Sequence, residues 1–177
     1  LYGCTDTAAD VEIIDLMLKT LKVGGLDNII LSLGHLGVFR AIATAAQLNE
    51  AQSRQLLALM QDKDGNAVRQ LAQQWQLDSI WTNALAALPE LYGSRDVLDK
   101  ARARLPQLTA VSQALDVLAQ VCAAFPEQAV HIDLAEVRVD NYHTGLLYAA
   151  YTPDYHDAVA RGGRYDGLGA YFGRSRP

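Results

Sequence analysis

Cysteine is scarce in this chain of 177 residues: Cys4 and Cys122 are the only two, and they lie far apart. Neither has a His or Cys at metal-ligand spacing. A disulfide framework or a zinc site is therefore not expected, and two bland, partly buried thiols in a reducing, cytoplasmic compartment are. No apolar run approaches the roughly 18 residues that span a bilayer, so no membrane segment is expected. The opening Leu1-Tyr2-Gly3 lacks both the charged leader and the apolar stretch of a secretory signal. It also lacks Met, which puts the expected natural N-terminus upstream. Clusters of basic residues are missing as well. The net charge is −5, and from Leu36 to Ala123 eight Lys/Arg balance eight Asp/Glu, a sum of zero. Nucleic-acid binding without a basic stripe would lack its main attractive force, so tRNA is not an expected partner of this stretch. What remains is ordinary globular composition, 50% apolar, and length for one sizeable core or two small ones.

The chain divides by pattern. Thr5 and Asp6 offer cap oxygens to a first helix whose apolar stripe is Val11, Ile14, Leu18 and Leu21, broadened by Ile13 and Met17. Gly24-Gly25 ends it with a left-handed cap, and Asp10 and Glu12 suit the positive end of its dipole. The β-branched run Asn28–Leu33 predicts a buried strand, followed by a turn over Gly34–Gly37. Six helices are then predicted: 36–47, 50–61, 67–76, 78–88, 95–104 and 109–124. Breaks at Asn49, Asp64-Gly65, Pro89, Gly93 and Pro106 separate them. Trp75 and Trp81 are the largest candidates for burial. No helix of this tract carries paired carboxylates or histidines on one face, which marks it as packing material. Strands return at 129–134, at 145–151 and at 158–161, the last two joined by a turn at Pro153-Asp154. The order predicts an α+β fold: an antiparallel sheet assembled from residues 1–35 and 128–177, with a helical domain inserted at 36–127.

Chemistry concentrates in two segments, DLAEVRVDNYHTG (133–145) and RGGRYDGLGAYFG (161–173). Paired strands would bring them to one end of the sheet. There a guanidinium, aromatic faces and N–H groups freed by glycine would suit a small zwitterion. Alone, the glycine-rich segment reads most simply as a tight turn. It lacks the Lys-Ser/Thr of a phosphate loop and the βαβ setting of a dinucleotide fingerprint. Alone, His143 reads as a hydrogen-bonded structural histidine, as do His35, His131 and His156.

Taken together the segments carry a resemblance. RGGRYDGL (161–168) resembles the histidine-binding signature of histidyl-tRNA synthetases. Upstream, those enzymes carry Arg-Gly-Leu-Asp-Tyr-Tyr, where this chain has Arg138, Val139, Asp140, Asn141, Tyr142 and His143. The Arg and the first Tyr are kept, and His143 replaces the second Tyr. The synthetases also carry a Glu after an aromatic in the next strand, where this chain has Tyr148 then Ala149. NYHTG, GLLYAAY and GHLGVFRAI (34–42) resemble instead the regulatory subunits of ATP phosphoribosyltransferase, paralogues of the synthetase without its charging activity. The opening segment resembles the stretch that follows the second class II motif in both families. The likeness spans the chain, most specifically 1–48 and 129–176. Val139 departs from the Gly usual in both families, which puts the pose of Asp140 and Asn141 in question.

The resemblance implies a partial class II synthetase-like core from a parent that dimerises. It implies a non-catalytic protein, with no cofactor or metal, that partners a short catalytic phosphoribosyltransferase in the first step of histidine biosynthesis. It implies histidine as effector, bound by Arg138, Tyr142 and His143, closed over by Tyr165, and approached by the backbone at Gly162 and Gly163. It implies too that the first class II motif, most of the second, and the third lie outside the chain, and that the half-sheet exposes an edge. Two other readings stand beside it: a fragment of a genuine histidyl-tRNA synthetase, and a helical adaptor with a relic pocket that would tolerate loss of Arg138.

Overall fold

The computed structural model describes residues 1, 3–136, 143–166 and 173. Helix α1 (Thr7–Val23) starts at Asp6, whose Oδ1 accepts the Ala8 N–H at 3.1 Å. It ends in a Schellman motif. Gly25 takes φ +82°, its N–H reaches the Lys22 carbonyl, and the Leu26 N–H reaches that of Leu21. Of the apolar stripe, Ile14 is fully buried and Val11, Met17 and Leu18 pack beside it. Leu16 and Val23 stay exposed.

Strand β1 (Ile30–His35) begins two residues later than its sequence suggests, because Asn28 sits in a left-handed turn at φ 57°. No Gly-His-Leu-Gly loop follows. His35 is the last strand residue and also the N-cap of α2 (Leu36–Ala45), with its Nδ1 accepting the Gly37 N–H at 3.1 Å. Four further helices follow before α7: α3 (Glu50–Gln61), α4 (Gly65–Gln74), α5 (Ser79–Ala87) and, after a 3-10 turn at Leu88–Glu90, α6 (Val97–Arg104). α3 opens with a reciprocal capping box between Asn49 and Gln52. Helices α2, α3 and α4 all end like α1, but on residues other than glycine. Gln47, Lys63 and Gln76 each hold φ 56°, and the next N–H reaches back to Ala43, Leu59 and Ala72 respectively.

α7 (Thr109–Ala124) lies at the centre of the helical layer, burying Val111, Ala114, Leu115, Leu118 and Val121 against α1, α2 and the sheet. Its carbonyl end is held by Arg95, whose guanidinium donates to Cys122 O (2.9 Å), Phe125 O (2.7 Å) and Gln128 O (3.1 Å). A cation there answers both the unsatisfied carbonyls and the helix dipole. Trp75 and Trp81 are not the heart of the core, as their size suggested. They are half-buried at its rim, while Phe39, Ile42, Leu56 and Leu85 are shut inside. Both cysteines are free thiols, and burial pushes the Cys122 pKa up.

The sheet runs β2-β3-β1-β4-β5, with β2 (Tyr92–Gly93), β3 (Ala129–Asp133), β4 (Leu146–Tyr151) and β5 (Ala160–Gly163). The fold is α+β, as the sequence indicates. The sheet is mixed, however: β1 and β3 pair in parallel, and the other three pairings are antiparallel. The long helical passage from β1 to β3 makes the parallel pair possible, since such a crossover needs a dozen or more residues. The short β2 was not foreseen. Among the described residues, no helix is long and apolar enough to cross a membrane.

Left-handed φ costs a residue with a Cβ about 1 kcal/mol or more. Gln76→Gly is therefore expected to raise stability by about 0.5–1 kcal/mol, net of the entropy that glycine adds to the unfolded chain. Urea unfolding followed by circular dichroism checks this, and an unchanged or lower midpoint refutes it.

Candidate functional site

Strand alternation gives the sheet two unlike faces. Leu31, Leu33, Ile132 and Leu146 point into the helical layer and belong to the main core. On the opposite face the register aligns small residues. Gly34 of β1, Leu147 of β4 and Gly163 of β5 form one row; Ser32, Ala149 and Arg161 form the next. Leu147 and Ala149 are buried, yet they lie outside the main core cluster.

His143 and Tyr165 meet on this second face. The His143 ring is buried and meets the Tyr165 ring edge-on, with centroids 5.9 Å apart and planes at 81°. Gly163 makes that possible. A Cβ there would come within 2.8 Å of the His143 ring and 2.9 Å of Leu147, closer than atoms pack. Gly162 faces the other way. It pairs with Tyr148 across the strands, and a Cβ on it would overlap the Tyr148 phenol ring. Of the residues expected to hold a ligand, His143, Gly163 and Tyr165 are thus brought together. Gly162 lies on the helix-covered side, and Arg138 and Tyr142 lie outside the described residues.

Arg164, which the motif alone did not single out, anchors this end of the sheet to α1. Its guanidinium bonds Asp10 at 2.9 and 3.2 Å, Asp6 O at 3.0 Å and Cys4 O at 3.2 Å. Burial works against its charge, but the Asp10 carboxylate outweighs that and leaves the guanidinium pKa above its ordinary value. Its backbone closes the site's own loop: Arg164 N–H donates to Leu146 O and Arg164 O accepts from Thr144 N–H, both at 2.8 Å. The Tyr148 hydroxyl, tucked beneath, has its pKa raised by burial and then by Tyr165 and Asp10. His35 is pushed down to about 4 by burial and by the nearby Arg164 cation.

At the β1–β3 end of the same face stands a carboxylate that the spacing did not flag. Glu136 lies over Gly34, where an added Cβ would sit 3.3 Å from the Glu136 Cβ and 2.9 Å from the Asp133 carbonyl. Glu136 Oε2 accepts a 3.1 Å bond from the buried Ser32 hydroxyl. Nearby, Asp133 takes both oxygens to the Lys63 ammonium at 2.5 Å and also accepts the Ala135 N–H at 2.9 Å. A separate cavity of about 450 Å³, between the ends of α1 and α7 near Ile29 and Gln128, opens at the opposite end of the sheet.

Two results follow for experiment. Unfolded, His35 takes a proton near 6.5, and folded only near 4. The folded state therefore has its full stability above about 6.5 and loses up to about 3 kcal/mol as pH falls from 6.5 to 4. His35→Asn, which keeps a capping acceptor, is expected to lose less stability over that interval, as denaturant midpoints at pH 7 and 4.5 will read. Gly162→Ala is expected to cost about 1–3 kcal/mol by overpacking, and less in a Tyr148→Ala background. A double-mutant cycle showing no coupling would contradict that contact.

The protein-family model for histidyl-tRNA synthetase matches residues 1–177. The ATP phosphoribosyltransferase regulatory subunit of Neisseria gonorrhoeae (strain NCCP11945) is 60% identical over 177 residues, covering 100% of this chain and 46% of that protein. A crystal structure of an ATP phosphoribosyltransferase regulatory subunit/histidyl-tRNA synthetase from Bacillus halodurans C superposes with TM-score 0.86 at 27% identity, covering 99% of this chain and 47% of that one. A chain of an ATP phosphoribosyl transferase complex from Thermotoga maritima shares the fold, with TM-score 0.70 at 17% identity over 95% of this chain and 60% of its own. The chain spans about half the length of the curated relatives it matches.

Proposed function

Since the chain belongs to the histidyl-tRNA synthetase family, we propose that it is part of a regulatory subunit of ATP phosphoribosyltransferase, with no tRNA charging of its own. One observation carries the reading: 60% identity to such a subunit over all 177 residues. His143 and Ala149 support it, since both depart from the synthetase pattern and keep to the regulatory one. The partner is then a short catalytic phosphoribosyltransferase, the kind of assembly that the Thermotoga maritima complex represents. Together they carry out the first step of histidine biosynthesis in the cytoplasm, with the regulatory subunit as a dimer. In this proposal residues 1–35 and 128–177 are a partial synthetase-like core, and 36–127 an inserted helical domain.

The effector in this reading is histidine, contacted by Arg138, Tyr142 and His143, with Tyr165 closing over it and the backbone at Gly162 and Gly163 approaching it. The site suits an aromatic zwitterion: a buried imidazole and a phenol meet edge-on beside Gly163 and Leu147. Histidine acts at a distance only if it binds one state of the assembly better than another. A coupling of about 1–3 kcal/mol corresponds to roughly 5–150-fold inhibition.

The test is to mix the full-length protein carrying this chain with its catalytic partner and follow phosphoribosyl-ATP formation. The full-length protein is expected to raise the rate and histidine to lower it, and Arg138→Ala is expected to weaken the histidine effect about tenfold or more. No change in rate, with histidine charged onto tRNA in a parallel assay, would establish the synthetase reading instead. Inhibition untouched by Arg138→Ala would favour a relic pocket.

A further inference from the structure

We infer that the Thr144 hydroxyl fixes Tyr165 against His143, which makes Thr144 a positioning residue for the proposed effector site. The inference rests on the proposed function and deepens it. Tyr165 is 46% exposed, so packing alone does little to place its ring, whereas the His143 residue is 6% exposed. The edge-on contact between the two rings therefore depends on the backbone that carries Tyr165. That backbone is fastened on both sides of the tyrosine to one residue. On the near side, Arg164 O accepts from the Thr144 N–H at 2.8 Å and from the Thr144 hydroxyl at 3.3 Å. On the far side, the Asp166 N–H donates to Thr144 Oγ1 at 3.0 Å. Thr144 itself directly follows His143. A single hydroxyl thus spans both flanks of Tyr165, giving its proton to one and a lone pair to the other.

The neighbours give this clip a fixed point to work from. The Arg164 side chain crosses Gly145, where an added Cβ would come within 3.3 Å of the Arg164 Cδ and 3.5 Å of its Cβ. Past Gly145 the guanidinium reaches Asp10 in a pair whose side chains are 15% and 11% exposed, and it also holds Asp6 O and Cys4 O. The Arg164 carbonyl is therefore anchored to α1, and the Thr144 hydroxyl carries that anchorage across to Asp166. Without the hydroxyl, the Asp166 N–H loses its acceptor and the segment after Tyr165 is fastened on one side only. Valine at this position would keep the branched shape and remove both hydroxyl bonds; serine would keep both.

The experiment uses the full-length protein, with calorimetric titration of histidine. Thr144→Val is expected to weaken histidine about tenfold, in line with the loss of a bond that leaves a donor unanswered, and Thr144→Ser to stay within about threefold of the unsubstituted protein. Thr144→Val is then made in a Tyr165→Ala background, where it is expected to weaken histidine by less than about twofold, because the ring it places is gone. A merely structural role would weaken binding equally in both backgrounds. Thr144→Ala also lacks the hydroxyl and is expected to behave as Thr144→Val; it takes the place of the valine variant if thermal unfolding shows that one not to fold. Unchanged affinity in Thr144→Val, equal losses in Thr144→Val and Thr144→Ser, or a full loss that persists without the Tyr165 ring overturns the inference and leaves the clip as a tie within the fold. Failure of the unsubstituted protein to bind histidine overturns the proposed function itself, and the inference with it.

Discussion

β1 is the strand on which the rest of the molecule is registered. It pairs in parallel with β3 on one side and antiparallel with β4 on the other, and its last residue, His35, is already the cap of α2. The alternation along it decides what each layer is. Leu31 and Leu33 go to the helices; Ser32 and Gly34 go to the opposite face. A slip of one residue would exchange those sets, placing leucines where Glu136 lies and glycine where α7 packs. The hydrophobic layer and the candidate site are two consequences of a single register.

Charge secures the ends of that arrangement. Arg164 ties the β5 end to α1 through Asp10, and Lys63 ties the α3–α4 turn to the end of β3 through Asp133. Each pair is partly buried, so its value lies less in net stabilisation than in what removing one partner would leave unanswered. Both hold backbone next to the candidate site. Arg164 orders Thr144 and Leu146, and Asp133 caps the turn that contains Ala135 and Glu136. This end of the sheet is thereby braced from α1 on one side and from the helical tract on the other.

Helices were the most legible part of the fold. α3 and α7 begin and end where their signals put them, because Asn49 and Gln52 cap locally and Pro126 stands just past Ala124. α2 and α4 each end two residues early, before left-handed Gln47 and Gln76, positions where glycine is the usual signal. β2 could not be read, since two residues carry no period and exist as a strand only by pairing with β3. The parallel direction of β1 and β3 is likewise a tertiary fact. In the candidate site, the two segments named His143, Gly163 and Tyr165, which the fold brings together: His143 stands just before β4, Gly163 ends β5 and Tyr165 follows it. The motif did not separate Gly162 from Gly163, which demands the register against Tyr148. Glu136 was invisible for a related reason: only the folded turn brings it over Gly34.

The parallel pairing also sets an order of events in time. Leu31 and its partner Val130 are 99 positions apart in sequence, and β4 comes later still. At synthesis rates of about 5–20 residues per second, β1 leaves the ribosome on the order of 5–20 s before either neighbour exists. The helices between are built on local contacts and can close within that interval, whereas the sheet cannot. For those seconds Leu31 and Leu33 have only the nascent helical layer to shelter them, and the backbone edges of β1 have nothing. A cell making this protein must therefore carry an unpaired apolar strand while the 99 positions to its first partner are made, a window in which chaperones have something to hold.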